Sequence, residues 1–440
     1  MTCDLSAKLE GLLEAQLVQS ERQGGLAVAV SGGSDSLAAC LIATNVCRRL
    51  KIPLWALTVD HGLRPEAAEE ALKVKNWLGS VGIEQTILKW QGPFPKTGIQ
   101  KAAREARYDL LFEECDRLGI SRLLLGHQLE DQLETLLMRL SKGSGVQGLA
   151  AMQSISQRGN MSLLRPFLTV SRAELREYLV SRQQEWIDDP SNENPAYTRT
   201  QLGSVLRSLI ALPGSNMEAL ALSSSRLQRA EQALETMTQG YMSEFPVISP
   251  FGFVSFRHDF YQKMPEEIAI RFLQRLFIFV RGDGVGPSLS TLEKLLSKIR
   301  TDRNLKTATL YGCQFRFHKG DWMICREPGR KGLPIMQMQD RASQQWDDRY
   351  VVLDHGLEQQ SISSSDFEIR KIGEEGWRIL KESDARADVG DLPTIVKKNL
   401  PAIWSGDKLA SVPLFSYDSK AMGIAQGRFE MVFNPKCNLL

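Results

Sequence analysis

The stretch LAVAVSGGSDSLAAC, from Leu26 to Cys40, passes from a short apolar segment through small polar residues into a second apolar segment. This order predicts a β-strand, a tight loop and the start of an α-helix. A helix that begins after such a loop presents backbone N–H groups and the positive end of its dipole to an anion. The loop offers two glycines for close backbone approach and three serine hydroxyls: Gly32, Gly33, Ser31, Ser34 and Ser36. We therefore predict that the loop binds phosphate.

The same loop contains an aspartate and no lysine. No G-x-x-x-x-G-K sequence followed by Ser or Thr occurs in the chain, which argues against a loop that transfers a γ-phosphoryl group. Asp35 would repel phosphate unless it bound Mg²⁺ or a positively charged group. The loop thus predicts recognition of the pyrophosphate part of ATP, with Asp35 as a Mg²⁺ ligand. The structural alternative is a serine-rich turn before a buried helix.

The segments around this loop alternate between two patterns. Apolar stretches occur at residues 26–30, 54–59, 86–90 and 121–126, and helical patterns at residues 36–50, 65–81, 99–118 and 129–140. Such alternation predicts an α/β domain with a parallel sheet and crossover helices. Ligands of open parallel sheets bind beyond the carboxyl ends of the strands. The segments predicted to form the site are therefore residues 31–36, 60–65, 91–99 and 126–131.

The chain is long enough for several domains, and the pattern changes along it. We predict a catalytic α/β domain at residues 1–214, a mostly helical middle domain at 215–331 and a small α+β C-terminal domain at 332–440. A helix is expected at residues 1–20, a mobile glycine-rich loop at 142–152, a strand at 161–167, a helix at 171–184 and an ordered connection at 186–202. Residues 257–331 contain 15 Lys or Arg against 8 Asp or Glu, an excess of +7. This excess indicates a nucleic-acid surface or a solvated charged face.

The overall composition gives little indication of the partner. Lys and Arg total 54 and Asp and Glu 52, for a net charge of +2. The seven cysteines show no C-x-x-C pair and no zinc-ligand spacing, which favours single reduced thiols. No leader pattern or apolar run of membrane-spanning length occurs, so we predict a cytoplasmic protein that does not enter a membrane.

Three further motifs carry charged or titratable side chains near the predicted site. His61 follows the second strand, where a structural histidine is the alternative. Arg104 and Arg107 lie three residues apart on a helix, to hold phosphate or to pair with neighbouring carboxylates. Asp131 and Glu134 share one face at the start of another helix, with Glu130 beside them. Like charges so placed need a cation such as Mg²⁺ or an amine, or the helix N-terminus itself.

The loop resembles the PP-loop of the N-type ATP pyrophosphatases. With VDHGLRP (59–65), AREARY (103–108) and GHQLEDQLET (126–135), the chain resembles the tRNA(Ile)-lysidine synthetase family over about residues 20–200. The segments GSG (143–145), Arg165-Pro166 and DPSN (189–192) extend this similarity.

The resemblance implies an adenine nucleotide alpha hydrolase-like fold, ATP and Mg²⁺ as cofactors, and two substrates, free L-lysine and a tRNA(Ile) with a CAU anticodon. ATP would adenylate the C2 oxygen of the wobble cytidine, and the ε-amine of lysine would then expel AMP. The codon read would change from AUG to AUA. On this chain the resemblance implies five catalytic residues, Asp35, His61, Arg107, Asp131 and Glu134. It implies that the nucleotide is bound by Ser31, Gly32, Gly33, Ser34, Asp35 and Ser36.

Two departures from the family pattern and two alternative functions accompany this prediction. Glu130 replaces the first aspartate of a D-D pair, and Gly203 stands where a second arginine is expected after Arg199. A PP-loop tRNA thiolase would share the adenylation step but would need a reactive cysteine. A non-catalytic RNA-binding protein would have no use for Asp35 beside phosphate. A homodimer is among the assemblies that the sequence allows.

Overall fold

The computed structural model describes residues 2–20, 24–62, 66–95, 97–188, 198–302, 304–339, 342–356, 363–383 and 392–437. The chain forms two compact units, Met1–Gln232 and Ala233–Leu440. The three-domain boundaries at residues 1–214, 215–331 and 332–440 remain a prediction.

The first unit alternates helices and strands, as the sequence predicts. Its helices are α1 (Thr2–Gln19), α2 (Ser34–Leu50), α3 (Ala67–Ser80), α4 (Ile99–Arg117), α5 (Leu129–Leu140), α6 (Val146–Leu149), α7 (Arg172–Ser181) and α8 (Thr198–Ile210). Its strands are β1 (Leu26–Ala29), β2 (Leu54–Asp60), β3 (Gln85–Lys89), β4 (Arg122–Leu125), β5 (Ile155–Arg158) and β6 (Met161–Leu164). Helix α9 (Met217–Glu244) begins in this unit and ends in the second.

The six strands form one sheet in the order β3-β2-β1-β4-β6-β5. The pairs β2–β3, β1–β2, β1–β4 and β4–β6 are parallel, which confirms the predicted parallel sheet. Strand β5 pairs antiparallel with β6 at the edge. The chain order reverses between β1 and β4, and the crevice at such a reversal is the usual ligand site of this sheet type.

Side chains of β1 alternate between two buried faces of the sheet. Leu26 and Val28 join a core cluster with α1, α2, α3 and α7, whereas Ala27 and Ala29 join a cluster with α4 on the other face. Because both faces are covered, β1 carries small and aliphatic residues throughout. The polar loop after it is the first place where this part of the chain can bind a ligand.

One of the two predicted connections differs in the structure, and the other lies partly outside the described residues. The glycine-rich segment at 142–152 is not an open mobile loop, because it contains α6, and Arg139 Nη1 donates to the carbonyls of Gly148 (2.8 Å) and Ala151 (2.9 Å). Residues 189–197 of the predicted ordered connection, including the DPSN motif, lie outside the described residues, as does Arg64. Arg165 is buried and donates to the carbonyl of Gln153 at 3.0 Å, so it holds the edge of the sheet.

The second unit combines helices with three antiparallel sheets. Its other helices are α10 (Phe260–Lys263), α11 (Glu266–Arg281), α12 (Leu289–Thr301), α13 (Gly373–Glu382) and α14 (Thr394–Asn399). Its strands are β7 (Val247–Ser249), β8 (Phe253–Arg257), β9 (Thr307–Leu310), β10 (Cys313–His318), β11 (Asp321–Arg326), β12 (Met336–Gln337), β13 (Ser343–Trp346), β14 (Tyr350–Asp354), β15 (Glu368–Lys371), β16 (Pro401–Ser405), β17 (Lys408–Val412), β18 (Tyr417–Asp418) and β19 (Phe429–Phe433).

The sheets of this unit follow the orders β7-β8-β11-β10-β9, β12-β15-β16-β17-β18 and β13-β14-β19. Helix α11 packs its apolar face on the first of them. The predicted helices of residues 215–331 are present as α9 to α12, beside the first five-stranded sheet, and the predicted α+β content of residues 332–440 is confirmed. In the part of the chain that the structure describes, no helix combines the length and the apolar character of a membrane span.

Candidate active site

The loop after β1 is held in shape by its own serines. The backbone N–H of Ser31 donates to Ser36 Oγ at 3.1 Å, and Ser36 Oγ donates to the carbonyl of Gly33 at 3.0 Å. Gly32 has a φ of +90°, and a Cβ there would lie 2.9 Å from Ile187 Cδ1. A side chain at residue 32 would therefore displace the loop.

Helix α2 begins within this loop, at Ser34, without a side-chain cap. Gly33 is the N-cap residue, with φ −71° and ψ 159°, and no side chain there accepts a hydrogen bond from the first turn. The first N–H groups of a helix have no partner within the helix, and the dipole favours an anion beside them. The loop therefore has the backbone geometry that phosphate binding requires.

The end of β4 reaches the same place as the end of β1. A Cβ on Gly126 would lie 2.8 Å from the Asp35 carbonyl oxygen and 2.9 Å from Ser36 Cα. Only a residue without a side chain allows this approach of two backbones. The segment that leads into α5 is thereby fixed against the start of α2.

A cation that the sequence analysis did not single out lies beside Asp35. Arg172 Nε donates to Asp35 Oδ2 at 3.3 Å, and Arg172 Nη2 lies 3.9 Å from Asp131 Oδ1. The backbone N–H of Arg172 donates to the Glu130 carboxylate at 3.0 Å. Burial acts to lower the pKa of Arg172, but the charges of Asp35, Asp131 and Glu130 outweigh it and raise that pKa. Two predicted site residues, Asp35 and Asp131, thus meet across one guanidinium.

A second arginine of α7 reaches the loop one turn later. Arg176 Nε donates to Ser34 Oγ at 3.4 Å, and Arg176 Nη2 donates to Asp188 Oδ1 at 2.7 Å. Its guanidinium also lies over the Trp186 ring, 5.3 Å from the centroid. Ser34 Oγ in turn donates to Asp35 Oδ1 at 3.0 Å. Two arginines therefore contact the loop that lacks a lysine.

A signal for these arginines was present in the sequence. The pattern at 161–167 predicts a strand, and the structure has β6 there. Strand β6 is parallel to β4, so the chain that follows it emerges at the same edge. The motif SRAE at residues 171–174 is a capping box, and Ser171 Oγ accepts from the Glu174 backbone N–H at 3.2 Å. A helix start was therefore predictable there, with Arg172 as its first residue.

Asp131 has a structural task as well as its contact with Arg172. Its Oδ2 accepts from the Gln128 backbone N–H at 3.3 Å, which completes a capping box at the start of α5. The residue is 5% exposed. The helix N-terminus is thus one of the positive partners that the sequence allows for this carboxylate, and Arg172 is a further partner that the sequence did not predict.

Glu134 faces another helix, one turn beyond Asp131. Its Oε1 would lie 3.5 Å from a Cβ on Gly203 of α8, and Arg207 Nη1 would lie 3.8 Å from the same Cβ. The space that a side chain at residue 203 would enter is therefore bordered by a carboxylate and a guanidinium. Residue 203 is glycine where the family pattern has an arginine. Arg207, one helical turn later in the chain, lies near the same space.

His61 and Arg107 form a second pair of site residues. Burial lowers the pKa of His61, the charge of Arg107 lowers it further, and Asp60 acts in the opposite direction. His61 Nδ1 is buried and has no hydrogen-bond partner among the described residues. Burial also lowers the pKa of Arg107, and Arg104 adds to that effect. A neutral imidazole and an arginine with a destabilised charge therefore lie together at the end of β2.

The alternative for the arginines of α4 was pairing with neighbouring carboxylates. Glu105 instead lies 3.8 Å from Lys101, and the Arg104 guanidinium lies over the Tyr108 ring, 5.5 Å from its centroid. Within the described ranges, Arg107 makes no hydrogen bond or ion pair. This arrangement favours an anionic ligand at Arg107.

We expect Arg107→Met to raise the pKa of His61, because the positive charge of Arg107 now lowers it. The imidazole can be titrated by NMR, which is practical because the chain has five histidines. Arg104→Met, on the same helix, is the matched control and should leave the His61 pKa in place. An unchanged pKa in Arg107→Met would contradict the pairing.

The basic excess of residues 257–331 is partly neutralised by acids that lie outside this range. Arg275 pairs with Glu235, and Arg326 Nε lies 3.3 Å from Asp347 Oδ2. The net excess in this region therefore overstates the charge available to a nucleic acid. Its role in tRNA binding stays a prediction.

The cysteines that a thiolase would require are buried. Burial raises the pKa of Cys40 to about 12, of Cys47 to about 11 and of Cys115 to about 12. A thiolate is the reactive form of cysteine, and these groups stay protonated at neutral pH. The geometry therefore disfavours a sulfur nucleophile from any of the three.

The carboxylates near the loop fit a metal ion that binds together with a nucleotide better than a metal ion held by the protein alone. No group of three or more His, Cys, Asp or Glu side chains with metal-binding geometry occurs among the residues that the structure describes. Mg²⁺ in nucleotide sites commonly uses one or two carboxylates together with phosphate oxygens and water. Asp35, 20% exposed at its side chain, fits that role.

Residues 5–209 match a family model described as a PP-loop domain. The chain is 34% identical over 356 residues to the tRNA(Ile)-lysidine synthase of Anaplasma marginale (strain St. Maries), covering 79% of this chain and 75% of that protein. It is 39% identical over 282 residues to the tRNA(Ile)-lysidine synthase of Bradyrhizobium diazoefficiens, covering 62% of this chain and 78% of that protein. It is 31% identical over 389 residues to that of Ruegeria pomeroyi, covering 88% of each protein.

Among solved structures, a U34-tRNA thiolase NcsA from Methanococcus maripaludis is similar, with a TM-score of 0.44 and 18% identity. The similarity covers 51% of this chain and 79% of that one. At this level it carries no argument about function.

Proposed function

The chain belongs to the tRNA(Ile)-lysidine synthase family, and on that premise we propose how its site works. The protein is an ATP-dependent ligase that forms lysidine on tRNA(Ile). We propose free L-lysine as the second substrate and the wobble cytidine of a CAU anticodon as the acceptor. The observation that carries this assignment is the convergence of Asp35 and Asp131 beside an uncapped helix N-terminus.

The first step is adenylation of the cytidine. The C2 oxygen attacks the α-phosphorus of ATP, a P–O bond forms, and pyrophosphate leaves with the electrons of the broken bond. The loop at residues 31–36 holds the phosphates through its N–H groups and hydroxyls. Asp35 would hold Mg²⁺, which supplies charge neutralisation for the phosphates when it is bound.

The second step forms the bond to lysine. The ε-amine attacks C2, the C2–O bond breaks, and AMP leaves with the oxygen. The amine must lose a proton to become neutral, and His61 is proposed to accept it because its lowered pKa keeps it unprotonated at neutral pH. Arg107 is proposed to stabilise the anionic AMP leaving group, which its lack of an ion-pair partner among the described residues supports.

Glu134 is proposed to bind a lysine ammonium group. We expect Glu134→Gln to raise the KM for lysine roughly 10- to 100-fold, since hydrogen bonds to charged groups contribute about 1.5–3 kcal/mol. Pyrophosphate release should stay near its normal rate. The matched control is Glu130→Gln, one turn earlier on the same helix, whose amide oxygen can still accept from the Arg172 N–H. An unchanged lysine KM in Glu134→Gln would assign Glu134 to packing against α8.

The function itself is tested by AMP release from ATP with purified tRNA(Ile). Release that requires both tRNA and lysine supports the proposal. Release with tRNA that is indifferent to lysine would favour the thiolase, which the buried cysteines disfavour, and no release would favour a non-catalytic RNA-binding protein.

The remaining assignments follow from this substrate. Arg104 and the basic region at 257–331 are proposed to contact tRNA phosphates, so binding should weaken as salt rises. A tRNA substrate also supports the predicted cytoplasmic location. The homodimer stays a prediction.

A further inference from the structure

The phosphate loop has no positively charged side chain of its own to balance the charge of ATP. Residues 31–36 include Asp35 and no cation. A helix N-terminus contributes only about half a positive charge, and a triphosphate carries several negative charges. The Mg²⁺ that Asp35 would hold offsets only part of this charge, so further positive charge for ATP must come from another part of the site.

Helix α7 supplies two arginines at this place. Arg172 and Arg176 are four residues apart, so they lie on one face of the helix. Arg172 contacts the Asp35 carboxylate at 3.3 Å, and Arg176 contacts the Ser34 hydroxyl at 3.4 Å. Their side chains are 44% and 42% exposed, so a ligand can reach both.

The helix that carries these arginines is firmly placed. Its other face buries Leu175, Tyr178 and Leu179 against the sheet core. Its first turn is fixed by the Ser171 capping box, and the Glu174 carboxylate in that box also accepts from Lys8 Nζ at 2.7 Å. The backbone that carries the two guanidinium groups therefore does not have to be ordered when a ligand binds.

The present partners of Arg172 leave it available for exchange. Asp35 and Asp131 contact this single guanidinium, and Glu130 accepts from the backbone N–H of the same residue, so the group as a whole keeps a negative charge. A cation that arrives with the nucleotide can take over the Asp35 oxygens. Arg172 is then released toward the phosphates, where a planar guanidinium can bind two oxygens at once.

We propose that Arg172 and Arg176 form a triphosphate-binding arm that replaces the missing loop lysine, with Arg172 exchanging its carboxylate partners for phosphate when ATP binds. The inference rests on the proposed use of ATP for adenylation. It assigns the β- and γ-phosphates, rather than the adenosine, to α7.

The test measures binding of a non-cleavable α,β-methylene ATP analogue and of AMP to the full chain by calorimetry, without tRNA. We expect Arg172→Met to weaken analogue binding roughly 10- to 100-fold, Arg176→Met to weaken it less, and neither to change AMP binding more than a few-fold. Arg172→Lys keeps the charge but loses the planar guanidinium, so its affinity for the analogue should lie between those of wild type and Arg172→Met. Circular dichroism shows whether each variant is folded.

Arg182→Met is the matched control. It lies at the end of the same helix, over the Tyr178 ring at 5.4 Å, and has no contact with the loop in its described surroundings. Its analogue affinity should equal that of wild type.

Three results would overturn the proposal. The first is wild-type affinity for the analogue in folded Arg172→Met and Arg176→Met. The second is an equal loss of analogue and AMP binding, which would assign the arginines to loop shape. A raised lysine KM with unchanged analogue affinity would assign Arg172 to the amine site. Wild type that fails to bind the analogue at all would instead contradict the proposed function.

Discussion

Asp35→Asn should reduce tRNA-dependent pyrophosphate release by on the order of 100- to 1,000-fold, the usual loss when one group that stabilises transition-state charge is removed. Asparagine keeps the size of the side chain and an oxygen that can accept from Arg172 Nε. The loop should therefore keep its shape while it loses the charge that would hold Mg²⁺. Pyrophosphate release can be followed with a coupled phosphate assay after pyrophosphatase.

Asp116→Asn, an exposed aspartate near the end of α4, serves as the control for that variant. It should release pyrophosphate as wild type does. Near-normal release from Asp35→Asn would remove Asp35 from adenylation and leave it as a partner of Arg172 alone.

Gly126→Ala should disable the site by a different route. The new Cβ would meet the Asp35 carbonyl oxygen at 2.8 Å and Ser36 Cα at 2.9 Å, so the start of α2 must move. Such overpacking costs about 1–3 kcal/mol of unfolding free energy. We expect both a lower urea midpoint and a loss of pyrophosphate release that exceeds the fraction of protein unfolded.

Gly79→Ala gives the comparison for this substitution. A Cβ at residue 79 of α3 meets no atom within 4 Å, and alanine is the better helix former. This variant should be at least as stable as wild type and fully active. If Gly126→Ala matches it in both measurements, the contact between the ends of β1 and β4 does not position the loop.

The fold and the loop were predictable because they depend on local pattern. Alternating apolar and helical segments place the ends of β1, β2 and β4 at one edge, and the structure brings Asp35 and Asp131 together there. The edge strand β5 was not predicted, because its polar residues give a weak strand signal next to a turn.

The site residues were predictable only in part, because side-chain direction depends on contacts that spacing does not contain. Asp131 and Glu134 share a helix face by sequence, yet the capping box draws the Asp131 carboxylate to the first turn of α5. Glu134 faces Gly203 on α8, a neighbour about 70 residues away in the chain. Arg172 and Arg176 lie on α7, and their approach to the loop depends on how this helix packs after β6, which residue spacing alone does not contain.

Helix α1 has a mechanical consequence for the nucleotide loop. Leu9 and Leu13 of α1 are buried in the sheet core, Glu10 pairs with Arg49 of α2 at 2.9 Å, and Lys8 pairs with Glu174 of α7 at 2.7 Å. The helix thus contacts both α2 and α7, the two helices whose first turns form the proposed nucleotide site. A protein that lacks α1 would keep every proposed catalytic residue, but we expect its affinity for the nucleotide to fall because α2 and α7 would lose their shared support.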